Sequence, residues 1–123
     1  MDFVKSQTLK LNKDFRRLYY RGKSAASDSV VTYAMKNQTH GCRVGITTSK
    51  KIGNAVQRNR SRRVIRAAFS QLESSVAGGW DFVFVARSKT SRVKMQTVLE
   101  EMKNHLEKIG ALEAAREVSD EEA

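Results

Sequence analysis

No aspartate or glutamate occurs between Asp28 and Glu73, yet Lys36, Arg43, Lys50, Lys51, Arg58, Arg60, Arg62, Arg63 and Arg66 all fall inside that interval. Such a segment cannot neutralise its own charge with internal ion pairs. An unpaired buried cation is costly, so these side chains must reach solvent or a partner. Only the apolar residues between them can fasten the segment to a core. The imbalance extends over the whole chain. Residues 1–70 carry 16 basic and 3 acidic side chains, net +13, whereas residues 71–123 carry 7 basic and 10 acidic, net −3, which gives the overall +10. Like charges held on one compact surface repel each other, and a polyanionic partner relieves that repulsion. Nucleic acid is the leading partner class. An anionic membrane fits less well, because the chain shows no lipidation signal and no amphipathic helix with a bulky Trp/Leu face.

The 123 residues suffice for one domain with its own core. No apolar run approaches the ~18–20 residues of a membrane helix. Met1 to Leu11 lacks the apolar stretch of a secretory signal. The single cysteine, Cys42, excludes an internal disulfide framework and suits a reducing, cytoplasmic setting. His40, Cys42 and His105 are too few for a structural zinc site.

With no proline in the chain, glycine and capping residues must delimit the elements. Asn12 is read as the cap of a helix reaching about Arg21, with Gly22 as its stop. Phe15, Leu18 and Tyr19 share one face of that helix. Residues 24–29 read as a loop or a weak edge strand. Val30 to Met35 and Arg43 to Thr48 read as strands, joined by a hairpin-like turn over Asn37 to Gly41. A long helix follows from about Asn54 to Gln71, with Val64, Ile65, Ala68, Phe69 and Leu72 as its apolar stripe. Asn59, Arg62, Arg63 and Arg66 are assigned to its opposite side, with Arg58 and Arg60 on the flanks. Trp80 to Ala86 is a nearly continuous apolar run and reads as a buried strand. Ser88 or Ser91 can cap a last helix whose buried stripe is Val98, Leu99, Met102, Leu106 and Ile109, ended by Gly110. The expected architecture is α+β in the order αβββαβα. Its helices form a two-layer sandwich with a mostly antiparallel four-stranded sheet. Residues 1–110 make the single domain, and the acidic tail 111–123 is expected to be frayed or disordered.

The chemistry concentrates in residues 49–66. A helix with one face on the core and arginines on the other can follow a nucleic-acid backbone, because the planar guanidinium fork matches phosphate oxygens. Lys50 and Lys51 add charge at the helix start, where free backbone N–H groups also attract anions. Solvated charged faces ordinarily mix both signs, and this one has no acid. Phe15, Tyr19 and Tyr33 fit either core packing or a groove on whose rings unpaired bases stack. His40 and His105 read as surface histidines without partners. Cys42 reads as a small buried apolar residue. Asp2, Asp14 and Asp28 are the only acids in the basic half, so a self-sufficient metal-dependent nuclease is poorly supported. Gly53-Asn54 lacks the spacing of a P-loop.

Several of these segments together resemble the signature of the bacterial ribonuclease P protein family. They are Val44-Gly45-Ile46, the run Ser49 to Val56, Arg58-Asn59-Arg60, and Arg63-Val64-Ile65-Arg66 with Phe69. Leu9-Lys10 with Asp14-Phe15 resembles the family's N-terminal motif, and Asp81 to Arg87 its last strand, so the resemblance covers about residues 9–109. It implies the small subunit of a ribonucleoprotein that removes the 5′ leader from precursor tRNA. Its RNA subunit would carry catalysis with Mg²⁺ held largely by RNA, and no small-molecule substrate would be involved. Lys50, Lys51, Asn54, Arg58, Asn59, Arg60, Arg62, Arg63 and Arg66 would contact that RNA. Phe15, Arg16, Tyr19 and Tyr33 would line the cleft for the single-stranded leader. The family fold also implies a left-handed βαβ crossover around the long helix, a hand that general topology rules disfavour. Tyr19 stands where the family pattern leads one to expect phenylalanine. A general RNA-binding or ribosome-associated module explains the charge equally well, but not the combination of groove aromatics with an arginine helix.

Overall fold

The computed structural model describes residues 6–39 and 41–112. In chain order the elements are β1 (Ser6–Thr8), α1 (Asn12–Arg21), β2 (Lys23–Ala26), β3 (Val30–Lys36), β4 (Cys42–Thr47), α2 (Ala55–Leu72), β5 (Trp80–Ala86) and α3 (Met95–Ile109), with single 3₁₀ turns at Lys50–Ile52 and Glu73–Ser75. The fold is α+β as expected. Its sheet has five strands rather than four, in the order β1-β4-β5-β3-β2. Two pairings are parallel (β1 with β4, β4 with β5) and two antiparallel (β5 with β3, β3 with β2), so the sheet is mixed and not mostly antiparallel. β1 escapes a pattern search because Ser-Gln-Thr carries no apolar alternation. Residues 23–26 form an edge strand, the second of the two alternatives for this region.

The segment between β3 and β4 does not make a hairpin. β5 inserts between them, pairing Thr32 with Phe84 on one side and Ile46 with Phe84 on the other. Its near-continuous apolar run explains that central place, since a strand flanked on both edges and covered on both faces has no solvated side. The β4–α2–β5 unit joins adjacent parallel strands through the long helix, as the resemblance implies. Alternation along β5 then splits the core. Trp80, Phe82 and Phe84 point to the face covered by α2 and α3, where Phe69 lies 5.9 Å from Phe82 and 5.5 Å from Phe84, centroid to centroid. Val83 and Val85 point to the opposite face, where Leu18 and Phe15 of α1 join Leu9, Tyr33 and Met35.

Helix ends correct two expectations and bear out a third. Asn12 is the first helical residue of α1; Leu11 holds the cap position and no side chain caps it. Gly22 does end α1, with extended rather than left-handed backbone. Neither Ser88 nor Ser91 caps α3, which starts after Lys94. The start of α2 is better defined. Asn54 accepts from the Gln57 backbone N–H at 2.9 Å while the Gln57 side chain accepts from the Asn54 N–H at 3.0 Å, a reciprocal capping box. Gly53 precedes it at φ +143°, where an added Cβ would sit 1.8 Å from Gln57 Oε1, so only glycine admits this entry.

His105 is not a surface residue. It is buried on α3, with Nδ1 2.8 Å from Thr32 Oγ1 and, among the described residues, no partner for Nε2. Its position continues the Val98–Met102–Leu106 stripe, and the buried Thr32 on β3 supplies the polar contact that a lone histidine in that stripe requires. His40, the acidic residues Glu113, Glu117, Asp120, Glu121 and Glu122, and the rest of 113–123 lie outside the described residues. Ala111 and Leu112 are buried, with Ala111 O accepting from Ala77 N at 2.8 Å, so the packing continues past residue 110 to the last described residue. Cys42 is half-buried at the start of β4, and burial raises its thiol above the ordinary value.

Two outcomes follow from this packing. Gly45 on β4 lets the Phe15 ring lie against the sheet: a Cβ there would meet the ring at 2.6 Å. Gly45→Ala should cost about 1–3 kcal/mol by overpacking, read as a lower denaturant midpoint; an unchanged midpoint would contradict this close approach. Burial lowers the His105 pKa below 6.5, more than the Glu101 charge raises it. The unfolded chain therefore binds the proton more readily, and stability should fall as pH drops below about 6.5. His105→Gln should be less stable near neutrality but should flatten that decline in pH-dependent unfolding.

Candidate nucleic-acid interface

Helix α2 rests on the sheet through Ile65, Ala68, Phe69 and Leu72, all buried, with Val64 half-buried beside them. At 100° per residue the face opposite that stripe centres on Arg63. Asn59, Arg60 and Arg63 are exposed, and Arg62 and Arg66 are half-buried on one flank. Arg62 donates to Asn59 Oδ1 at 3.1 Å, which spreads the pair along the helix surface. Arg58 departs from its expected flank position. It lies only about 40° from the centre of the buried stripe, and its guanidinium folds back onto Gly53 O at 2.7 Å, capping the entry turn. Lys50 and Lys51 are exposed on the turn before α2, next to the exposed Asn54. Among the described residues none of these arginines or lysines forms an ion pair with a carboxylate.

The aromatic residues lie on the other face of the sheet. Phe15, Arg16 and Tyr19 of α1, with Asn12 and Thr47, line a cleft of about 370 Å³. Tyr19 meets Tyr33 edge to face, with centroids 5.0 Å apart. Tyr19 is 40 % exposed, so solvent can serve the polar end of a side chain that would otherwise need a buried partner. Phe15 and Tyr33 are half-buried: each packs against the Leu9–Leu18–Val83 cluster and keeps part of its ring open. The two readings of the spacing, core and groove wall, are thus both realised in the same side chains.

An ion cluster that sequence reasoning passed over places α1. Asp14, on the inner side of α1, is buried and is bound by Arg17 and, at 3.5 Å, by Arg43. Arg43 also grips Asp81 of β5 through Nε at 3.0 Å and Nη2 at 2.6 Å. Asn37 donates to the same carboxylate at 2.8 Å. The hydrogen bonds to Asp81 raise the Arg43 pKa above the ordinary arginine value. Two signals could have revealed the cluster: Asp14 sits beside Leu18 on the inner face, and Asp81 interrupts an otherwise apolar strand. Both acids need cationic partners.

Among the described residues no three of His, Cys, Asp and Glu are grouped to hold a metal ion. Asp14 and Asp81 are committed to arginines, and Asp28 is exposed beside Lys89. The described side chains are therefore not grouped to hold a resident metal. No helix among the described residues is long and apolar enough to cross a membrane.

Comparison with known proteins accords with this geometry. The sequence profile of the family described as Ribonuclease P matches residues 3–110. The ribonuclease P protein component of Clostridioides difficile is 39 % identical over 105 residues, covering 85 % of this chain and 92 % of that one. The Staphylococcus aureus RNase P protein superposes with a TM-score of 0.76 at 31 % identity, over 88 % of this chain and 99 % of the other. The Thermotoga maritima RNase P protein gives 0.71 at 32 % identity, over 80 % and 93 %. With an arginine helix that has no carboxylate partner among the described residues, an aromatic cleft across the sheet and these matches over nearly its whole length, the chain belongs to the ribonuclease P protein family.

Proposed function

We propose that this protein binds the catalytic RNA subunit of ribonuclease P through α2 and the 5′ leader of precursor tRNA through the aromatic cleft, so that the leader is presented for endonucleolytic removal. The observation that carries this reading is the separation of the two surfaces. Asn59, Arg60 and Arg63 face outward on one side of the sheet, and Phe15, Tyr19 and Tyr33 open on the other. A structured RNA and a loose single strand can then be held together without competing for the same side chains.

The chemistry of each surface matches its ligand. Exposed guanidinium groups bind phosphate oxygens in pairs and displace condensed counterions, so docking of the RNA subunit is salt-sensitive. Lys50, Lys51 and Asn54 extend that surface around the helix start, and Arg62 and Arg66 border it. In the cleft, ring faces accept bases of any identity at about 1–3 kcal/mol each, while Arg16 supplies charge for the strand's backbone. A leader-binding groove must tolerate many sequences, and stacking gives that tolerance. Asp14 and Asp81 are committed to arginines, and Mg²⁺ ions held largely by the RNA subunit would supply the chemistry of cleavage.

Single substitutions separate the two roles. Arg60→Ala or Arg63→Ala should weaken binding to the RNA subunit and make the log–log salt slope shallower by about 0.7–0.9 for each phosphate no longer neutralised. Phe15→Ala, tested in the reconstituted holoenzyme, should weaken precursor tRNA binding more than mature tRNA binding. Equal losses for both tRNAs would show that Phe15 serves the core alone. Unchanged RNA-subunit affinity in both arginine variants would remove the α2 assignment.

A further inference from the structure

One group of cations lies apart from both RNA surfaces. Arg21, Lys23 and Lys36 are exposed, and among the described residues none of them pairs with a carboxylate. They rim a hollow of about 170 Å³ walled by Ala34, Met35 and Trp80. Arg21 is at the opposite end of α1 from Asn12, which lines the aromatic cleft, about 13 Å away along the helix. Local structure leaves this corner open. β2 starts at Lys23, opposite Ala34, so Met35 and Lys36 of β3 run on beyond it. Gly22 turns the chain tightly out of α1: a Cβ there would lie 2.6 Å from Leu18 O and 3.0 Å from Ala34 O. Lys23 pairs with Ala34 and Lys36 with Trp80, so both lysines stand on the Trp80 face of the sheet. Lys36 Nζ lies 5.8 Å from the centroid of the Trp80 ring.

Cations around an apolar floor fit an anion that carries an apolar group. A stacked nucleobase fits poorly, because stacking needs an open ring face and Trp80 is only 5 % exposed beneath Lys36. An acidic peptide with one aliphatic side chain fits well. The chain contains such a segment. Residues 113–123 carry Glu113, Glu117, Asp120, Glu121 and Glu122 against the single cation Arg116, and Val118 is the one aliphatic residue among them larger than alanine. The segment leaves the domain nearby. Leu112 bridges to Val76, and Ala111 O accepts from Ala77 N at 2.8 Å. Trp80 follows Val76 by four residues, a span of at most about 14 Å. The segment can reach about 36 Å. Tethered this close, it meets the hollow at an effective concentration on the order of millimolar.

We propose that the hollow rimmed by Arg21, Lys23 and Lys36 is the docking site of the chain's own acidic segment 113–123, with Val118 entering the hollow and Glu117, Asp120 and Glu121 facing its cations. The contact gives the acidic end of the sequence a place on its basic half. Three bare cations would attract any RNA backbone. Covered by carboxylates they no longer do, and polyanions are directed to α2 and the cleft.

The test uses the full chain. A zero-length carbodiimide reagent joins carboxylates to amines that touch, and mass spectrometry maps the products. Residues 117–122 should couple to Lys23 and Lys36 in preference to Lys50 and Lys51, within one copy when unlabelled and isotope-labelled chains are mixed. The yield should fall roughly tenfold in Val118→Ser, which removes the apolar anchor. It should persist when the holoenzyme is assembled with its RNA subunit and precursor tRNA. Binding of an unrelated duplex RNA gives a second readout. Neutralising the segment (Glu117→Gln, Asp120→Asn, Glu121→Gln, Glu122→Gln) should steepen the salt slope by up to about 2.7, roughly 0.9 for each cation uncovered. The same changes should leave the slope unaltered in a chain that also carries Arg21→Gln, Lys23→Gln and Lys36→Gln. Coupling mainly to Lys50 or Lys51, coupling between copies, or none to Lys23 and Lys36 would each overturn the proposal. So would equal slope changes in the two backgrounds, or loss of the crosslinks on holoenzyme assembly, which would assign the rim to RNA.

Discussion

Beneath α1 the carboxylates of Asp14 and Asp81 close on the guanidinium of Arg43, and much of the molecule's surface chemistry depends on that closure. The cluster ties α1 to β4 and β5, which sets the height of Phe15 and Tyr19 above the sheet. It also engages the one acid of α1 and the one acid of the central strand inside the protein. Breaking a pair of this kind by removing one partner generally costs ~3–5 kcal/mol, because the remaining charge is left buried. With both carboxylates turned inward, the arginines of α2 have no carboxylate partner among the described residues, and on α1 only Arg17 has one. The net charge of the basic half is thereby concentrated where a polyanion can reach it.

The sheet turns one chain into a two-sided adaptor. β5 is central and apolar on both faces, so it can carry α2 and α3 on one side and α1 on the other. The two cation-bearing helices are thus separated by a rigid layer. One side offers arginines at helical spacing, suited to a folded RNA whose phosphates lie at fixed positions. The other offers aromatic rings along a cleft, suited to a flexible strand. On the proposed reading rigidity matters more than affinity, because such a part fixes the relative placement of two RNAs.

Much of this was legible in the amino-acid order. The arginine helix, its apolar stripe, the strand Trp80–Ala86 and the stop at Gly110 all follow from local periodicity and glycine chemistry. What escaped were features made by distant residues. Nothing local in Asn37–Gly41 distinguishes a hairpin from a connection that straddles a third strand; only the demand of β5 for neighbours on both edges decides it. Ser6–Thr8 becomes a strand because β4 has a free edge, not because of its own residues. His105 reads as a surface group until Thr32, 73 positions away, supplies its polar partner. Arg58 reads as a flank residue of the helix, yet its angle and the open carbonyl of Gly53 bring its guanidinium back onto the entry turn. Asp14 and Asp81 were visible as acids in apolar settings, and their meaning emerged only with Arg43 between them.

The central claim is that opposite faces of one sheet hold two different RNAs at the same time. Site-specific photo-crosslinking from position 63 and from position 19, each in the intact holoenzyme bound to precursor tRNA, tests it most directly. The account predicts that the probe at 63 labels the RNA subunit while the probe at 19 labels the 5′ leader, both within a single population of complexes. Labelling of the same RNA by both probes, or loss of one crosslink whenever the other forms, would contradict it.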